Sequence, residues 1–265
     1  MPCPCHLPHR QKPRIDVYKP QLEQFEIHRM VPATTLGYDV SFTNASLFML
    51  VALVAVWAFL TLGMRRATIV PGRWQSAVEM IHEFVVGMVD ENIGAKGRAY
   101  VPFIFALFVF ILFANILGLL PFAFAVTSHI WVTFAFAAFI FLLCVGIGFA
   151  KHGLHFFELF VPPQTPIILL PLIVLIELIS FVSRPLTLSV RLFANMTAGH
   201  ILLQVFAGFI VSLGLAGGLF AVLGILPLAM NVALYALELL VAVVQAYVFA
   251  LLTCVYLNDS INLSH

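Results

Sequence analysis

Residues 165–213 read TPIILLPLIVLIELISFVSRPLTLSVRLFANMTAGHILLQVFAGFIVSL. Only three acidic or basic residues, Glu177, Arg184 and Arg191, stand in these 49 positions. As one α-helix the run would extend ~70 Å at 1.5 Å per residue. The hydrocarbon of a bilayer is only ~30 Å thick. Either one helix crosses at a steep tilt, or the run divides into two spans near Ser183-Arg184-Pro185. We expect the single tilted helix, because no polar loop interrupts the run. Gly214–Gly218 then reads as a turn, and a second long apolar run follows from Leu219 to Leu257.

The whole chain shares this character. It has 265 residues, 62% hydrophobic and 9% charged, where a soluble domain carries about 25% charged residues. So few charges cannot cover the surface of a soluble fold of this size. The net charge of +1 gives no reason to expect a nucleic-acid partner. Cys3 and Cys5 are too close to staple a fold, and Cys144 and Cys254 lie in apolar runs, so no disulfide framework is expected. Cys3, Cys5, His6 and His9 form a bare metal-like cluster, as do His152, His155 and Glu158. Neither has the helical HExxH context of a zinc site, and we expect no metal and no cofactor. No apolar stretch opens the chain, so a cleaved signal peptide is not expected.

The expected class is an all-α membrane protein. Residues 1–41 form a polar tail and 42–265 a single membrane domain. A first span covers 42–64. Arg65, Arg66 and Arg73 follow it and mark the cytoplasmic side, which puts the N-terminus outside. Residues 74–93 repeat apolar side chains at helical spacing around Glu79, His82, Glu83 and Asp90, as an interfacial amphipathic helix does. A transmembrane hairpin covers 101–150, with spans near 101–121 and 129–150, and Lys151 returns it to the cytoplasmic side. The long helix pair covers 165–257.

Ionisable side chains inside membrane segments are costly and mark function. With Arg191 at zero and about 100° per residue, Thr187 lies near −40°, Arg184 near +20°, and Glu177 and Asn195 near +40°. His200 falls on the opposite face. In the last run, measured from Glu238 at about 100° per residue, Asn231, Gln245 and Tyr256 all fall within roughly 20°. Two helices, each with a polar stripe, suggest a proton path. Polar side chains also glue membrane helices together, and for Asn231 or Thr187 alone that reading is preferred. Buried charges cost more than buried amides, so Arg191, Glu177, His200 and Glu238 together point to function. Arginine stays protonated and cannot relay a proton, but it makes a nearby carboxylic acid release one. Histidine and glutamate are suited to the relay.

The segment Ser183-Arg184-Pro185-Leu186-Thr187-Leu188-Ser189-Val190-Arg191-Leu192-Phe193-Ala194-Asn195-Met196-Thr197-Ala198-Gly199-His200 closely resembles the signature of subunit a of F-type ATP synthases. Glu238 and Gln245, followed by Thr253, Val255, Tyr256 and Leu257, resemble that family's last helix, and Asn115-Ile116-Leu117-Gly118-Leu119-Leu120-Pro121 its earlier hairpin. The resemblance covers about Phe42 to Ile261. It implies proton translocation through the membrane sector of a rotary ATP synthase. Arg191 would face the ring of c subunits and separate two offset half-channels. Asn195, His200, Glu238 and Gln245 would line the outer one, and Glu177 with Ser180 the cytoplasmic one. The chain itself would be a non-catalytic channel subunit. Its implied partners are the c-ring, the peripheral-stalk b subunits, the other synthase subunits and the lipid bilayer. Many bacterial members carry an acid at the position of His200 and a histidine at that of Glu238, so the pair is exchanged here, as in mitochondrial members. Where some members carry an acid, this chain has Gly118. The implied compartment is a bacterial plasma membrane, with the mitochondrial inner membrane as the alternative. A secondary transporter would show an internal repeat, and none is seen between the halves. A haem-binding carrier would pair His129 with His200, but His129 lies in a terminal loop position.

Overall fold

The computed structural model describes residues 29–31, 34–35, 38–39, 42–65, 71–120, 129–153 and 170–261. The cysteine and histidine cluster at Cys3–His9, the His155 and Glu158 positions, and residues 165–169 lie outside the described residues. Five helices are long and apolar enough to cross a membrane. The α-helices among the described residues are α1 (Asn44–Met64), α2 (Arg73–Asn92), α3 (Val101–Gly118), α4 (Ile130–His152), α5 (Leu170–Ala216), α6 (Gly218–Leu223) and α7 (Ile225–Ile261), and the five spans are α1, α3, α4, α5 and α7. Two short antiparallel ladders precede α1, pairing β1 (Arg29–Val31) with β4 (Phe42–Thr43) and β2 (Thr34–Thr35) with β3 (Tyr38–Asp39). They add local strand pairing to a tail read from sequence only as polar.

Thr43 caps α1, its Oγ1 accepting from the Ser46 amide at 3.5 Å. The helix is apolar on every face, and Leu50, Leu53, Val54 and Trp57 stay exposed. Such a helix suits lipid or another apolar surface. The helix α2 is amphipathic. Val78, Val85, Met88 and Val89 are buried, and α2 packs against α1, α3 and α7. Gly63 of α1 permits the close approach, since a Cβ there would stand 2.6 Å from Val78 Cγ2. Beyond the end of α2, Arg98 pairs with Asp90 at 3.0 Å. Its guanidinium holds the Asp90 carboxyl below the usual range.

The core gathers on α7. Glu238, Ala242, Ala246, Ala250 and Cys254 recur every fourth residue and are all buried. The i, i+4 row is a packing ridge, and small residues along it let neighbouring helix backbones come close. α3, α4 and α5 all pack on α7. Phe141 of α4 joins the other two long helices, its ring 4.9 Å from that of Phe181 and 6.3 Å from that of Tyr256.

The long apolar run forms one helix. α5 continues for 47 residues with Pro185 inside it. Proline removes one backbone donor and normally bends or breaks a helix. Around it, Ser183 donates to the Ser180 carbonyl at 2.8 Å and Thr187 to the Arg184 carbonyl at 2.9 Å. The turn that follows is made by Gly217 and Gly218, with φ of 68° and 59°, a region open to glycine. The second run is divided at Gly224 into α6 and α7 rather than forming one helix.

α3 and α4 do not lie closely along each other as a tight hairpin would. They meet at Phe110 and Phe136, whose ring centroids are 5.6 Å apart. A cavity of about 530 Å³ opens between α1, α3 and α4, walled by apolar side chains such as Phe48, Ile111, Trp131 and Phe139. Each helix finds better partners elsewhere: α3 against α7 and α1, and α4 against α5 and α7.

Candidate functional site

The α5–α7 seam brings together most of the polar residues singled out from the sequence. Glu238 is 5% exposed and Gln245 4%. Among the described residues, neither carboxylate oxygen of Glu238 has a hydrogen-bond partner, although both are shut off from solvent. A buried carboxyl with no partner is costly, and such orphan atoms in a native fold call for a functional account. The carboxyl projects across the seam onto α5. A Cβ on Gly199 would stand 2.7 Å from Glu238 Cδ, so the absence of a side chain at Gly199 makes the space that Glu238 occupies.

His200 follows Gly199 directly, which puts its backbone beside the Glu238 carboxyl. The ring is part-buried, with Nε2 shut off from solvent. No direct hydrogen bond joins the two side chains, since both Glu238 oxygens are without one among the described residues. The seam therefore places the acid next to the histidine segment without closing a contact between them.

Arg191 stands on α5 about two turns before Gly199, where this carboxyl lies, and is exposed. Among the described residues no carboxylate pairs with it, whereas Arg184, two turns earlier, is paired with Asp259 of α7 at 3.0 Å. Asn195 is half-buried on the same helix. Glu177 and Ser180 are half-buried further along α5. No hydrogen bond or ion pair carries Glu177 to α7 among the described residues, so it is not joined to the Glu238 cluster. A single helix carries Glu177, Arg191 and His200 at separate levels, and that is why the cluster is spread along α5.

Asn115 of α3 belongs to the site and was quoted from sequence only as part of a hairpin motif. It is fully buried and donates through Nδ2 to the Ala242 carbonyl at 3.3 Å. Its Oδ1 has no partner among the described residues. Ala242 is one turn from Glu238, so this amide closes the α3 side of the same pocket of polarity. An asparagine in the last turn of an apolar span was the available signal. Tyr235 adds a second tie, its hydroxyl donating to the Leu119 carbonyl at 3.4 Å. Asn231 and Tyr256, on the polar stripe of α7, also keep a buried oxygen without a partner among the described residues.

An exposed arginine with no carboxylate partner among the described residues thus stands on a long apolar helix, next to a seam holding a buried acid, a histidine and amides. The family model described as ATP synthase A chain matches residues 46–258. The chain belongs to that family. The protein called ATP synthase subunit a of Mesorhizobium japonicum is 54% identical over 244 residues, covering 92% of this chain and 97% of the relative. The protein of the same name from Pelagibacter ubique is 51% identical over 245 residues, 92% of this chain and 98% of the relative. That of Rhodospirillum rubrum is 50% identical over 242 residues, 91% and 98%. Within the family match fall most of α1, all of α2 to α6 and most of α7, with Glu177, Arg191, Asn195, His200, Glu238 and Gln245, while Asp259 lies one residue beyond it.

Proposed function

We propose that this chain conducts protons through the membrane sector of an F-type ATP synthase. The observation that carries the reading is the Glu238 carboxyl, buried without a hydrogen-bond partner among the described residues and pressed against α5 at Gly199. A stator that merely anchors other subunits has no use for such a costly group. Membership of the ATP synthase A chain family supports the same role.

In this reading α1, α3 and α4 span the bilayer, α2 lies at the cytoplasmic interface, and the first forty or so residues stay outside. α5, at ~70 Å, exceeds the ~30 Å hydrocarbon and crosses at a steep tilt. Arg191 faces a ring of c subunits, each bringing one carboxylic acid. On meeting the fixed cation the acid gives up its proton, because an opposite charge favours the ionised form. Arg191 thereby separates two offset half-channels. Asn195, His200, Glu238 and Gln245 line the one from outside, with Asn115 closing its α3 side. Glu177 and Ser180 line the one to the cytoplasm. The exposed apolar faces of α1 and α4 are left for the b subunits and lipid. The bacterial relatives favour a bacterial plasma membrane.

The test is reconstitution of the whole complex in vesicles with Glu238→Gln. ATP-driven proton pumping is expected to fall at least about tenfold with the complex still assembled. Pumping at the wild-type rate would defeat the reading.

A further inference from the structure

Three charged side chains lie along the polar stripe of α5, and they are not equivalent. Arg184 precedes Arg191 by two turns, about 10 Å along the axis. Its Nη1 lies 3.0 Å from Asp259 Oδ2 on α7, while Arg191 has no carboxylate partner among the described residues. Tyr256, one turn before Asp259, is 3% exposed. Its ring packs on Phe141 of α4, which also meets Phe181 of α5, at this end of the α5–α7 seam.

We infer that Asp259 serves to neutralise Arg184, so that Arg191 is left as the single uncompensated cation on the stripe. The inference rests on the proposed role of Arg191 as the charge that discharges the ring acids. Such a separator works at one place only. A second bare arginine two turns nearer Glu177 would hold a ring acid ionised further along its path, and would oppose its exchange with the cytoplasmic half-channel. Charges in a low-dielectric region are felt over that distance.

The alternative, a clamp between helices, is the weaker account. The two side chains are 32% and 29% exposed, and a partly exposed ion pair adds little adhesion. The same helices are already tied by the rings of Phe141, Phe181 and Tyr256. His152 Nε2 also lies 3.2 Å from the Ile261 carbonyl, joining α4 to the end of α7. What the pair adds to this end of the seam is charge balance.

The two accounts differ in symmetry. A clamp is broken equally by losing either partner, and losing both is no better than losing one. Neutralisation is lost only when Asp259 goes while Arg184 stays. The experiment compares Asp259→Asn, Arg184→Gln and the double variant in the assembled complex, reading ATP-driven proton pumping in inverted vesicles and the amount of complex in the membrane. Asp259→Asn is expected to lower pumping about fivefold or more, Arg184→Gln by less than about twofold, and the double variant is expected to recover most of the loss. Equal damage from both single variants, with no recovery in the double, overturns the inference. So does wild-type pumping in Asp259→Asn. If Asp259→Asn fails to assemble, the double variant still decides: recovery on removing Arg184 supports neutralisation, and no recovery overturns it. Arg191→Gln is measured alongside. Retained pumping there overturns the proposed function and this inference with it, whereas lost pumping with symmetric effects at 184 and 259 overturns the inference alone.

Discussion

The carboxyl of Glu238 on α7 fills the space that a side chain on Gly199 of α5 would take. A Cβ at that position would stand 2.7 Å from Glu238 Cδ and 3.1 Å from its Cγ. The seam between the two long helices is thus shaped around an acid, and the residue that makes room for it adjoins His200.

Gly199→Ala tests that fit. Alanine is favoured over glycine inside a helix by about 1 kcal/mol, so the helix itself gains. The added methyl must push the carboxyl aside, at a cost of about 1–3 kcal/mol for overpacking. We expect normal amounts of assembled complex with proton pumping reduced about tenfold. Adding Glu238→Asp, which shortens the acid by one methylene, should recover part of the loss. Wild-type pumping in Gly199→Ala would show that the position of this carboxyl is unimportant.

Asn115→Leu separates glue from chemistry. The variant keeps a similar volume, loses the bond to the Ala242 carbonyl, and removes the buried Oδ1. As glue, the amide is worth about 1 kcal/mol, a loss that a core with this many apolar contacts absorbs. As part of the outer path it supplies polar atoms one turn from Glu238. The expectation is a small fall in thermal stability and a drop in pumping of about fivefold or more. A change in stability alone would return Asn115 to a structural role.

Much of this was legible from residue type. The lack of a polar loop in the 165–213 run favoured one helix over two, and α5 is continuous from Leu170 through Pro185. The stripe on α7 was legible from spacing, and Glu238 and Gln245 are buried on it. The family signature around Arg191 was legible as a resemblance. Three features were not. The Arg184–Asp259 pair joins residues 75 positions apart, and no local pattern encodes which of two arginines is compensated. The splaying of α3 from α4 follows from competition among apolar faces for α7, and apolar faces in membrane helices look alike in sequence. Gly199 reads as one more glycine until the Glu238 carboxyl is seen against it.

Arg191→Lys is expected to abolish coupled turnover. Lysine keeps a positive charge at this point, but in apolar surroundings it can lose its proton, and it lacks the planar fork of arginine. A separator that can itself deprotonate lets protons pass between the half-channels without rotation. The variant should therefore show ATP hydrolysis and pumping that no longer track one another, with pumping down about a hundredfold. Pumping in Arg191→Lys vesicles at the wild-type rate would remove the requirement for arginine.

His200 and Glu238 are expected to act as one unit on the outer side of Arg191. The carboxyl lies against Gly199, the neighbour of His200, and the exchange of acid and histidine relative to many bacterial members keeps function only if both positions serve one site. No direct hydrogen bond joins them, so the relay needs a bridging water, for which a polar pocket with unpartnered oxygens is suited. Two groups sharing one site titrate together rather than separately. His200→Ala should slow proton uptake from outside and shift the pH dependence of pumping. Reversing the pair, with His200→Glu and Glu238→His together, should restore more activity than either single change and give a single shifted pH profile. Pumping is measured across a range of pH in vesicles of matched complex content. If the double reversal is no better than the worse single variant, the two positions are not one functional unit. If the side chains prove more than ~10 Å apart with no water between them, a direct or single-water transfer is excluded, and His200 then belongs to the channel wall rather than to the relay.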